Sequence, residues 1–245
     1  MEETKFPDQS GSCQKAMDQT LNVITIDGPA GVGKTTLART LAEKIQIAFL
    51  DTGAMFRAIA LDLGDGADQL ATDVLRIRLA HVHFRIQGTG QKTALFCNEN
   101  LIGSEIRTEQ VAMLASKIAR IPTVREFLAR AEREIASKTP LVAEGRDMGT
   151  VIFPTARCKF FLDASPEIRA NRRLNDPNNH EQTDLETLIR QIKERDAQDR
   201  NREIAPLKPA DDAIIIDTSN LSIAEVLARM EKEIRAKGGF KSLKK

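Results

Sequence analysis

Residues Gly28-Pro-Ala-Gly-Val-Gly33-Lys34-Thr35 match the pattern G-x-x-x-x-G-K-[ST] at every constrained position. Glycines at these points let the backbone curl, so that successive N–H groups face inward toward an anion. The flanks separate such a loop from a chance Gly-rich turn. Before it, Leu21 to Asp27 is a short β-rich run, stopped by Gly28-Pro29. After it, Leu37, Leu41 and Ile45 recur every four positions and mark one face of a helix. Strand, loop and helix in that order aim the unpaired N–H groups and positive end of the helix at a phosphate. Gly28, Pro29, Ala30, Gly31, Val32, Gly33 and Thr36 would line the cradle. Lys34 would reach the β- and γ-phosphates of a nucleotide such as ATP, and the Thr35 hydroxyl would meet Mg²⁺.

The rest of the chain continues the strand–helix rhythm with one interruption. Ile47 to Leu50 reads as a second strand, and Asp51-Thr52-Gly53 turns into a helix carrying Met55, Ile59 and Leu63. Between Gly64 and Arg107 the period changes to two, in His81 to Ile86 and Thr93 to Cys97, with Gly88 and Gly90 between them. That is a hairpin set into an α/β frame. Helical pattern resumes from Glu109 to Ser137, broken at Pro122, where Thr123 and Glu126 have capping-box spacing. Three further strands are expected at Leu141 to Ala143, Lys159 to Leu162 and Ala213 to Ile216. The helices between and after them would open at Ser165-Pro166, at Thr183 with Glu186, and at Ser222 with Glu225.

Strands separated by helices predict an α/β fold, a parallel β-sheet flanked by helices with an inserted lobe holding a small hairpin. The expected boundaries are a leader over 1–20, one domain over 21–238 and a tail over 239–245. Within the domain, 21–63 and 139–238 form the core, about 64–138 the insert, and about 169–187 a short lid rich in Asn and Asp.

The 245 residues carry a formal net charge of +1, which argues against a broad electrostatic grip on nucleic acid. Tyr and Trp are absent, so base stacking has little to use. No run approaches the roughly 18 apolar residues of a membrane span. Three cysteines (Cys13, Cys97, Cys158) without ligand spacing fit a reducing cytoplasm.

Anion binding must therefore come from placed arginines. Arg169, Arg172 and Arg173 are spaced i, i+3, i+4 on one helix face, where like charges repel unless an anion lies opposite. Arg195, Asp199 and Arg202 share a face of the next helix, either as a surface ion pair or as a sugar- and phosphate-binding edge. Glu144-Gly145-Arg146-Asp147 follows a predicted strand, at the carboxyl end where open α/β sheets bind ligands.

From about Val23 to Ile234 the chain resembles the bacterial cytidylate kinases. The phosphate loop is shared with many proteins. GRDMGTVIFP and RDAQDRNREIAPL are far more selective, and LDTGAMFR, GSEIRTEQV and FFLDASPEIRANRR agree with them. The resemblance implies a phosphate-loop kinase fold with an enlarged monophosphate-binding insert. It also implies ATP with Mg²⁺ as donor, CMP and dCMP as acceptors, and a cytoplasmic monomer with no nucleic-acid or membrane partner.

By the same resemblance, Thr52, Arg57 and Arg146 would hold the acceptor's phosphate, and Ser116, Arg125 and Asp147 would read the cytosine edge. Arg195, Asp199 and Arg202 would meet the sugar, with Arg195 near the transferring group. Arg169, Arg172 and Arg173 would belong to the lid over ATP. Lys34, Arg146, Arg195, Arg169 and Arg173 are thus the expected catalytic set. Thr35 and Glu144 would serve the metal, the latter directly or through water. Phe56 stands where Tyr is common, which removes any hydrogen bond from that hydroxyl. Three alternatives stay open: another acceptor on the same fold (UMP, AMP or a metabolite such as shikimate), an ATP-gated interaction protein, and an RNA-binding accessory protein.

Overall fold

A computed structural model describes residues 22–156, 158–175 and 183–239. The leader expected over 1–20, the central part of the expected lid, His180 and most of the tail lie outside the described residues.

Five strands form one parallel sheet: β1 (Val23–Asp27), β2 (Ala48–Asp51), β6 (Leu141–Gly145), β7 (Cys158–Asp163) and β8 (Ile214–Asp217). Their order is β2-β6-β1-β7-β8. Helix α1 (Lys34–Lys44) carries the chain from β1 to β2, leaving a gap that β6 later fills. As a result β6 pairs directly with β1, with Asp27 in register with Gly145. The loops after these two strands open side by side, at the carboxyl edge of the sheet.

Alternation along β1 sorts its side chains between two cores. Ile24 and Ile26 pack with α1 and with α8 (Ile223–Ala236), through Leu41, Ile45, Met230 and Ile234. Val23 faces the other layer, built from α2 (Thr52–Leu63), α3 (Thr72–Leu79), α4 (Glu109–Ile118) and α5 (Pro122–Lys138). Strand periodicity puts Thr25 and Asp27 on Val23's side, so two polar residues enter that layer fully buried. Each fully buried large apolar side chain stabilises the fold by about 1.5–3 kcal/mol.

The insert holds a three-stranded antiparallel sheet of β3 (Phe84–Gln87), β4 (Ala94–Cys97) and β5 (Asn100–Leu101). The hairpin is where the period-two pattern puts it. The two-residue β5 was not anticipated, being too short to show a pattern. Asn98 and Glu99, both at positive φ, make the tight turn that brings β5 back along β4.

Two helix starts differ from expectation. α5 begins with Pro122 at its first position and Ile121 as cap, with no side-chain cap bond. Proline's fixed φ and missing N–H already suit that position, and Thr123 lies inside the helix. α7 (Leu185–Arg200) is capped by Asp184, which accepts from the Thr187 amide, rather than by Thr183. The remaining two starts agree with the sequence. Ser165 caps α6 (Pro166–Leu174), and Ser222 with Glu225 forms a complete capping box on α8.

Candidate active site

Gly28 sits at φ 148, and an added Cβ would come within 2.2 Å of the Leu162 carbonyl oxygen. Gly31 and Gly33 adopt positive φ as the loop turns into α1. Lys34 begins that helix, buried, and its Nζ donates to the Pro29 carbonyl at 2.7 Å. The ammonium is thus folded over the loop that would hold the phosphates. Burial and the nearby Arg146 push its pKa down, so an anion in the loop would restore its charge.

A cleft of about 220 Å³ runs from this loop toward the insert. At its near end Thr35 lies within hydrogen-bonding reach of Glu144, whose Oε1 is buried without a partner among the described residues. Burial raises the Glu144 carboxyl, and Asp51 on the adjacent strand adds to that. Such a carboxyl is set up to share its charge with a cation.

The middle of the cleft is basic. Arg57, Arg146 and Arg195 all line it. Burial depresses Arg195 to about 10, with Arg146 and Arg57 also pressing on it. Like charges brought together in this way leave a position for an anion. Thr52 lies at the same place, its hydroxyl donating to the Glu144 carbonyl at 2.8 Å.

Asp199 organises one wall. It is 2% exposed and bonds Arg146 Nε at 2.8 Å as well as Arg202. Burial would raise this carboxyl, but Arg146, Arg202 and Arg195 outweigh burial and hold it below the usual range. The partner of Asp199 is therefore not Arg195, the surface pair that helix spacing alone allows.

At the far end Arg125 bonds Asp147, both buried, and also donates to the Ala119 carbonyl at 3.2 Å. The Arg125 guanidinium lies 5.6 Å from the Phe56 ring, and Ser116 and Ala119 complete that end. Asp147 opens a wide turn, Met148–Ile152, in which the Ile152 and Phe153 amides donate to the Asp147 and Met148 carbonyls in i→i+5 bonds. Asp27 anchors the turn by accepting from the Met148 and Gly149 amides at 2.9 and 2.7 Å. Burial raises Asp27 to about 6, although these two amides pull the other way.

The arginines of α6 stand elsewhere. Arg169 is 2% exposed and does not line the cleft; its guanidinium bonds Asp196 and the carbonyls of Ala164 and Ala30. It braces the phosphate loop against α7. Arg172 bonds the Thr218 hydroxyl and carbonyl, and Arg173 lies 3.4 Å from Glu109. Sequence reasoning passed over Asp27 and Asp196. Asp27 had a signal, as the polar end of an apolar strand, whereas Asp196 looks like any charged helix residue. A larger groove of about 1220 Å³ lies on the outer side of α5 but contains none of the phosphate loop. Among the described residues no helix is long and apolar enough to cross a membrane.

The cytidylate kinase family profile matches residues 24–236. A cytidylate kinase of Nitratidesulfovibrio vulgaris is 52% identical over 236 residues, covering 96% of this chain and 100% of the relative. Cytidylate kinases of Oleidesulfovibrio alaskensis and Fervidobacterium nodosum are 51% and 47% identical, over 87% and 84% of this chain and 98% and 93% of theirs.

Proposed function

The chain belongs to the cytidylate kinase family, and we propose that its cleft carries out in-line transfer of the ATP γ-phosphoryl group to CMP or dCMP. The products are ADP and the corresponding diphosphate. The observation that carries this reading is one continuous cleft joining Lys34 of the phosphate loop to the Arg125–Asp147 pair, with Arg57, Arg146 and Arg195 between.

The acceptor phosphate is its own nucleophile. With a second pKa near 6 it is mostly ionised at neutral pH, so the site needs to align charges rather than remove a proton. Arg57 and Arg146 hold it, and Thr52 marks its near edge. Arg195, at the middle of the cleft, stabilises charge as the bond to the leaving group breaks. Lys34 swings from the Pro29 carbonyl onto the donor's phosphates.

The Thr35–Glu144 corner suits Mg²⁺, since a hydroxyl stands beside a buried carboxylate oxygen with no other partner. When bound there, the ion neutralises β- and γ-phosphate oxygens. Asp147 accepts from the cytosine amino group and meets the carbonyl oxygen of uracil with repulsion. Such a site rejects the wrong base through an unpaired buried group. Asp199 and Arg202 face the sugar. Because Arg169 is spent on Asp196 and loop carbonyls, we assign it to bracing the donor loop rather than to contact with the γ-phosphate.

ADP release with Mg-ATP and CMP, dCMP, UMP, AMP or no acceptor tests the reading. Turnover should be fast with CMP and dCMP, weak with UMP and absent with AMP. Equal rates with UMP or AMP would overturn the base assignment, and release independent of acceptor would overturn the kinase reading.

A further inference from the structure

α5 presents its buried face to the sheet through Val124, Arg125, Leu128, Glu132, Ile135 and Ala136. Two of these are ionisable and lie seven positions apart, two helical turns along the same stripe. Arg125 is explained by Asp147. Glu132 is 1% exposed, and its Oε1 has no hydrogen-bond partner among the described residues.

The surroundings of Glu132 form a polar seam between β1, α5 and the wide turn. Asp27 enters it from β1; Thr25, on the same face of β1 and beside Gly149 of the turn, has a hydroxyl likewise buried without a partner among the described residues. Asp147 enters from the turn. On either side α5 clamps that turn, through Arg125 on Asp147 and through Arg133 on the carbonyls of Val151 and Ile152, at 2.9 and 3.1 Å. Glu132 sits on the helix between the two clamps.

We propose that Glu132 is a positioning residue for recognition of the acceptor's base, leaving Arg125 to Asp147 only while it carries its proton. The inference rests on the assignment of Arg125 and Asp147 to the base. An ionised carboxylate in this seam would be a buried charge with one oxygen unpartnered, an expensive state. It would also compete with Asp147 for the Arg125 guanidinium and repel Asp147 itself. Either effect displaces the carboxylate that reads cytosine.

The charges acting on Glu132 come from several directions. Asp147 in the turn and Asp27 on β1 oppose its ionisation, while Arg125 and Arg133 on α5 favour it. Burial outweighs all of these and raises the carboxyl well above its usual range. The two helices and the strand packed on α5 supply no rescue. On α3, Asp73 and Arg76 are exposed and pair with each other, and on β3 Arg85 is engaged by Glu99. On α2, Arg57 lies in the acceptor cleft.

Steady-state kinetics of the wild type and Glu132→Gln between about pH 6 and 9 test this. Gln keeps the shape and cannot ionise. In the wild type the KM for CMP should rise on the alkaline side, approaching about tenfold per pH unit, while the KM for ATP does not follow. In Glu132→Gln the KM for CMP should stay flat across the same range. A second readout is unfolding in urea, where the stability gained by Glu132→Gln should grow with pH. An unchanged alkaline rise in Glu132→Gln, no such rise in the wild type, or a stability difference independent of pH would each overturn the inference. A wild type that uses UMP as readily as CMP would instead remove the base assignment beneath it.

Discussion

The donor end of the cleft is made of backbone, and the acceptor end is made of side chains. At the donor end, loop amides, a helix start and one lysine come from a single stretch, Gly28 to Thr35. At the acceptor end, Arg57, Ser116, Arg125, Asp147, Asp199 and Arg202 arrive from α2, α4, α5, the wide turn, α7 and the loop after it. A backbone cradle recognises any phosphate and depends on glycine more than on neighbours. A side-chain pocket recognises one acceptor, and Arg125, Asp147, Asp199 and Arg202 in it are held by charged partners. The first tolerates change elsewhere in the chain, whereas the second is altered by a change in any of its parts.

The largest effect should come from the donor end. Lys34→Ala should lower kcat by about 10²–10³-fold with little change in the KM for CMP. A kcat within tenfold of the wild type would mean that the cradle alone suffices. At the acceptor end, Asp199→Asn leaves the half-buried Arg146 and Arg202 without their carboxylate. It should destabilise the fold by about 1–3 kcal/mol in urea unfolding. The KM for CMP should rise with it while ATP binding is retained, and equal losses of both substrates would erase the distinction between the ends. Asp147→Asn exchanges an acceptor for a mixed donor and acceptor. The preference for CMP over UMP should shrink by about tenfold or more, measured as a ratio of kcat/KM values.

Proton linkage sharpens the same contrast. Asp27 holds its proton to about pH 6 in the fold, against 3.8 as its ordinary value. Between those values the folded state binds the extra proton, so the contribution of Asp27 to stability falls as pH rises. Asp199, held low by three arginines, works in the opposite sense at more acidic pH. Urea unfolding of the wild type and Asp27→Asn at about pH 4 and 6.5 should therefore give a difference that changes with pH. A constant difference would show that Asp27 does not titrate there. The smallest effect lies far from both ends, where Ser222→Ala should cost about 1 kcal/mol through the α8 cap and leave kinetics unchanged.

The same contrast explains what could be read without a structure. The donor loop is contiguous, so its pattern and flanks were enough. The parallel sheet and its insert followed from the change in periodicity, apart from β5, which has only two residues. The acceptor residues lie far apart in sequence, and no spacing rule links Arg125 to Asp147 or Arg146 to Asp199. Apart from the helix face of Asp199 and Arg202 and the strand end before Arg146-Asp147, their grouping came from resemblance. Helix spacing puts Asp199 beside Arg202, with which it pairs, but cannot show its second partner Arg146, 53 positions away. Nor does any spacing rule link Arg169 to Asp196, 27 positions away, or to the Ala30 carbonyl of the phosphate loop.

Asp27 ends the strand that feeds the phosphate loop, and its two oxygens hold the amides that set the turn carrying Asp147. The gap between giver and taker is thus measured out by one short side chain. Glutamate would lengthen that gauge by a methylene, and asparagine would release one of its two grips. A lineage adapting this scaffold to a new acceptor can exchange residues of the pocket's walls, but it inherits the gauge, and with it the span across which giver and taker must be brought into line.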